Sequence, residues 1–116
     1  MMEASMVRSL TKGKYYSIGA WTIKPGRENE FVSTWNDFAQ WTTELTAGES
    51  MGTLVQDVEE PRLFYCFWPF ETEEGIKKWR SEPKFREFMM RMRAFCESWR
   101  PSIARVVGTV GGEAPP

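Results

Sequence analysis

Leu63-Phe64-Tyr65-Cys66-Phe67-Trp68 reads as a strand with no polar face. Five of its six residues are large and apolar or aromatic, and Cys66 behaves as a small hydrophobe. A half-buried strand alternates apolar with polar residues, and this one does not. Turn signals bound it, Glu59-Glu60-Pro61 before and Pro69 after, so it is too short for an ordinary helix. It predicts a strand covered on both faces. Helices of the same chain can cover one face, but 116 residues leave little to cover the other.

Working outward, Tyr15 to Ile23 is a second strand of the same kind. Tyr16, Ile18, Ala20 and Thr22 lie on one face, and Tyr15, Ser17, Gly19, Trp21 and Ile23 on the other. Lys24-Pro25-Gly26 is a turn. Arg27 to about Leu45 is a helix, with Phe31, Trp35, Phe38 and Leu45 on one stripe. Glu28 and Glu30 suit the dipole of its first turn. Met51 to Val58 is a strand that forms a hairpin with the aromatic one. Thr72 is placed to cap a short helix ending near Trp79. Ser81 is placed to cap the next, with Pro83 in its first turn. Phe85, Phe88, Met89, Met92, Phe95, Cys96 and Trp99 continue that helix as one stripe, which Pro101 stops. Ile103 to Val110 is the last strand. Residues 1–14 and 111–116 read as tails around a single domain, 15–110.

The order is βαββαβ with the second helix split in two. It predicts an α+β, ferredoxin-like antiparallel sheet with helices on one face. The first and third strands are then central, and they are the two that are apolar on both sides. The bare face carries Tyr16, Ile18, Ala20, Leu63, Tyr65 and Phe67, a patch that soluble monomers rarely expose. A second copy related by a two-fold axis is the simplest cover, giving a barrel-like homodimer.

Composition narrows the function. Lys plus Arg number 15 and Asp plus Glu 16, a net charge of −1. That balance disfavours general binding to nucleic acid or anionic membranes. The third strand also lacks the glycine of an RNA-recognition signature. No run of 18 apolar residues marks a membrane span, and Met1 to Leu10 has no signal-peptide core. The expected setting is the cytoplasm, with Cys66 and Cys96 reduced. The absence of histidine removes the commonest general base and metal ligand.

Trp21-Thr22-Ile23-Lys24-Pro25-Gly26-Arg27-Glu28 followed by Phe31 resembles the first strand, turn and helix of the antibiotic biosynthesis monooxygenase family. Phe67-Trp68, then Trp79-Arg80-Ser81-Glu82-Pro83-Lys84-Phe85, resembles its third strand and second helical region. The resemblance spans Tyr15 to Val110. It implies a dimeric α/β barrel and, in some members, oxygenation of polycyclic aromatic polyketides without metal or flavin. A haem-degrading branch uses an asparagine, a tryptophan and a histidine. Those positions fall near Gly19, Trp68 and Met89, so haem chemistry is not expected.

The expected ligand is a small flat aromatic or hydrophobic molecule. Its pocket would lie between Trp21 and Trp68 on the sheet and the Phe88, Met89 and Met92 stripe, with Trp35 as the sixth ligand-binding candidate and Phe38 beside it. The bland alternative is that these residues only pack. Oxygenation without a cofactor needs an enolisable or phenolic substrate, held dry and stabilised as its anion. Ser17, Tyr65, Cys66 and Arg105 are the candidate polar groups, and none reads as a base. Glu71, Glu73 and Glu74 read as a charged helix start, not a metal site. The competing reading is a non-catalytic dimeric barrel that binds a hydrophobic ligand or serves as an interaction module.

Overall fold

Two strands sit at the centre of one antiparallel sheet because they alone are apolar on both faces. The structure, a computed structural model, describes residues 14–110. The sheet order is β2-β3-β1-β4. Its strands are β1 (Tyr15–Ile23), β2 (Thr53–Gln56), β3 (Leu63–Phe70) and β4 (Cys96–Arg105). The helices are α1 (Glu28–Leu45), α2 (Glu73–Arg80) and α3 (Pro83–Arg93). This is the ferredoxin-like α+β arrangement, with β1 and β3 central. Apart from Lys14, the expected tails lie outside the described residues.

Alternation sorts the side chains. Ser17, Gly19, Trp21 and Ile23 of β1 and Phe64, Cys66 and Trp68 of β3 are buried beneath the helices. On the opposite face Ile18 pairs with Phe67 and Ala20 with Tyr65. Those residues, with Tyr16 and Leu63, are only half-buried in the single chain. From α1 the core takes Phe31, Trp35 and Phe38; from α2, Ile76 and Trp79; from α3, Phe85, Phe88, Met89 and Met92.

The local signals near the turns behave as their chemistry requires. Gly26 adopts a φ of 83°, closing the turn into α1. The Gly75 N–H donates to Thr72 Oγ1 at 3.0 Å, capping α2. Ser81 does not cap α3. Its hydroxyl donates back to the Lys78 carbonyl, and Glu82 occupies the cap position without a side-chain bond.

The largest departure from the sequence reading is at the C-terminal end. Helix α3 stops at Arg93, so Phe95, Cys96 and Trp99 lie beyond it. The last strand runs from Cys96 to Arg105 and passes through Pro101; residues 106–110 lie past it. Phe95 falls in the turn after α3, and for Cys96 and Trp99 pairing with β1 outweighs the helical spacing. Trp21 stands opposite Trp99 in register, with the two rings stacked at 5.6 Å. Pro101 is tolerated because β4 is an edge strand, where one missing N–H need not break a ladder. Pro69 likewise lies within β3, past Phe67, the last β3 residue paired with β2. Strand β2 is shorter than expected, and Val58 is 95% exposed.

Candidate functional site

The inner faces of β1, β3 and β4 form the floor of a cleft, and all three helices roof it. The floor is Ser17, Gly19 and Trp21 of β1, Cys66 and Trp68 of β3, and Trp99 and Pro101 of β4. The roof is Phe38 of α1, Trp79 and Arg80 of α2, and Phe85 and Met89 of α3. Its volume is about 80 Å³. A closed cavity of about 150 Å³ can hold benzene. One ring therefore fits only in part, with its remainder at the open mouth.

Gly19 makes the floor possible. A Cβ there would lie 2.8 Å from Trp21 Nε1 and 3.0 Å from Cys66 Sγ. Trp21 Nε1 donates to that sulfur at 3.4 Å. The indole N–H groups of Trp35 and Trp68 and the Gly19 backbone N–H also favour negative charge on Cys66, but burial dominates and pushes its thiol pKa up. The Trp35 and Trp68 N–H groups are buried with no hydrogen-bond partner of normal geometry. Gly52 makes a comparable allowance for Trp68, since a Cβ there would fall 2.4 Å from its ring.

Arg80, the last residue of α2, is the one charged group among the described residues lining this cleft. Its Nη2 donates to Ser17 Oγ at 2.8 Å and to the Ser102 carbonyl at 2.9 Å. Burial pulls its guanidinium below the ordinary value. No described carboxylate lies within ion-pair distance of it.

Of the six residues expected to bind a ligand, Trp21, Trp68 and Met89 line the cleft. Trp35, Phe88 and Met92 are buried in the surrounding core. Trp35 packs on Trp68 at 5.6 Å and Phe88 on Phe38 at 5.6 Å. Among the polar candidates, Ser17 and Cys66 line the cleft. Tyr65 lies on the opposite face of the sheet, and Arg105 is exposed on β4. Gly19, Trp68 and Met89, the positions compared with haem-degrading proteins, all line this cleft. The sequence reading missed Arg80, although it stands in the Trp79-Arg80-Ser81 stretch that carries the resemblance. It also missed Trp99 and Pro101, which it had placed on or just after a helix.

A second hollow, about 490 Å³, lies between residues 45–51 and residues 69–72, where β3 leads into the cap of α2. Its charged lining residues are Glu49 and Glu71, so it disfavours anions. Glu73 pairs instead with Lys77 at 3.1 Å. Among the described residues, no group of three or more His, Cys, Asp or Glu is placed to hold a metal ion. No helix among them is long and apolar enough to cross a membrane.

An apolar cleft between a ferredoxin-like sheet and its helices places the chain in the class of small α+β domains with a lined cleft beside the sheet. The family model for antibiotic biosynthesis monooxygenase matches residues 14–91, more than half of the chain. The chain belongs to that family. Among solved structures it is similar to SnoaB, a cofactor-independent oxygenase from Streptomyces nogalater, at 12% identity and a TM-score of 0.73. That match covers 86% of this chain and 99% of SnoaB. It is also similar to a conserved protein from Methanosarcina mazei Go1, at 15% identity and a TM-score of 0.71, covering 86% and 97% of the two chains. At these identities the likeness shows a shared fold. No curated protein sequence matches the chain.

Proposed function

We propose that the protein is a cofactor-independent monooxygenase acting on a small aromatic metabolite, enolisable or phenolic in character. The observation that carries this reading is the open cleft walled by Trp21, Trp68, Trp79 and Trp99 within a fold of this family. Indole walls hold a flat ring and exclude water from it. Cleft size favours one ring, or the edge of a larger system, over a fully enclosed polycycle. With a carbon acid of the anthrone type, the substrate loses a proton and its carbanion reduces O₂. The two join as a hydroperoxide, and loss of water leaves a ketone. One oxygen atom enters the product and the other leaves as water. The protein's part is to hold the ring, stabilise its anion and keep water out.

The homodimer belongs to the same proposal. Tyr16, Ile18, Ala20, Leu63, Tyr65 and Phe67 form the face turned away from the helices, and a second copy covers it. The setting is the cytoplasm, with no metal or flavin required. The test is oxygen uptake with a panel of anthrones and naphthoquinols. Turnover that survives chelators is expected. Ligand-induced stabilisation without uptake from any member would replace this reading with that of a non-catalytic binding barrel.

A further inference from the structure

The cleft accounts for a flat apolar ligand but not for its one cation. Ser17 Oγ and the Ser102 carbonyl engage only Nη2 of Arg80. Neither Nε nor Nη1 has a hydrogen-bond partner among the described residues, and neither acceptor carries charge. The half-buried guanidinium bears part of the cost of desolvation with no carboxylate beside it. The rest of the lining holds no carboxylate; its acidic group, Cys66, would offset the guanidinium only as a thiolate, and burial pushes that thiol pKa up, so it stays neutral. Around an apolar floor, the cleft offers one positive charge with no carboxylate beside it.

We propose that Arg80 is the anion-binding residue of this cleft, and that its ligand is an aromatic oxyanion, a phenolate or enolate on a flat ring. This rests on the oxygenase reading and deepens it by specifying the protonation state in which the substrate is bound. The ring lies against the indoles, and its oxygen accepts a charge-assisted hydrogen bond from the guanidinium. The cation replaces the missing base: it lowers the pKa of the bound hydroxyl, so the proton passes to water at the open mouth. No histidine or carboxylate is then needed beside the reacting carbon.

The experiment uses 4-nitrophenol, whose phenolate absorbs visible light, with nitrobenzene as its uncharged counterpart. Absorbance titrations are run on the unmodified chain, Arg80→Met and Arg80→Lys, with circular dichroism to confirm folding. The unmodified chain is expected to bind the phenolate and lower the apparent pKa of the bound phenol. Arg80→Met is expected to bind the phenolate about tenfold or more weakly, the loss of one charge-assisted bond, and to bind nitrobenzene unchanged. Arg80→Lys should keep part of the pKa shift. If Arg80→Met does not fold, the pKa shift in the unmodified chain decides alone. Binding of the neutral phenol, equal phenolate affinity in a folded Arg80→Met, or no binding at millimolar concentration each overturns the proposal. Oxygen uptake undiminished in Arg80→Met would remove Arg80 from the reaction and leave the oxygenase reading standing. Arg80-dependent phenolate binding with no oxygen uptake would do the reverse.

Discussion

Trp79 and Thr42 show how much one polar contact decides inside an aromatic core. The Trp79 indole N–H donates to Thr42 Oγ1 at 3.0 Å, and both residues are buried. Thr42→Val removes the acceptor without leaving a large void. It is expected to destabilise the fold by about 1–3 kcal/mol, the cost of a stranded buried donor. Urea unfolding measures this, and an unchanged midpoint would mean that water reaches the indole. Cys96 offers a second test. Burial outweighs the nearby Arg93 and Lys24 cations and pushes its thiol up from 9.0 to about 11, and the thiol donates to the Met92 carbonyl. Since the folded state holds this proton more tightly, its stabilising effect is complete below pH 9 and is lost as pH rises to about 11. Urea midpoints should therefore fall over that window, and Cys96→Ala should fall less. Equal slopes in the two proteins would exclude Cys96 as the source.

Helix α2 is eight residues long, so its ends count for much of its stability. Thr72→Ala removes the cap on Gly75 and should cost about 1 kcal/mol. A loss well below half of that in urea unfolding would show that packing of Ile76 and Trp79 alone holds the helix. Because α2 carries Arg80, the same variant should weaken phenolate binding if fraying displaces the guanidinium. Strand β4 gives the complementary case. Its own sequence contains a proline, and Cys96 and Trp99 continue the apolar spacing of α3, yet it pairs with the whole length of β1. Sheet pairing and the Trp21–Trp99 stack form only after the chain has folded back, and no window of local sequence records them.

For the whole molecule the decisive feature is the half-buried face of the sheet. Phe67 stands between Ile18 and Thr53 on adjacent strands, at the centre of that face. Fully burying a large apolar side chain contributes roughly 1.5–3 kcal/mol. Several such residues together are comparable with a domain's net stability of about 5–15 kcal/mol. The unmodified chain is therefore expected to sediment as a dimer at micromolar concentration. Phe67→Glu would place two like charges near the two-fold axis and should dissociate or unfold it, whereas Glu59→Lys in the exposed turn should not. A well-folded monomer of the unmodified chain would show that the outer face needs no second copy.

The order of elements, the two central strands and the side of the sheet on which Trp21 and Trp68 lie are legible in the chain itself. These follow from apolar periodicity, from turn residues such as Pro25 and Gly26, and from the two-residue alternation of a strand. Alternation also separated Ser17 and Cys66, beneath the helices, from Tyr65 on the other face. The course of β4, the meeting of Trp99 and Pro101 with Gly19, and the position of Arg80 come from long-range pairing. Arg80 is separated from Ser17 by 63 residues and from Ser102 by 22. An arginine at the end of a short helix looks in sequence like any solvated charge. It joins the cleft because the sheet brings two oxygens to one of its nitrogens and holds its guanidinium beside an apolar floor.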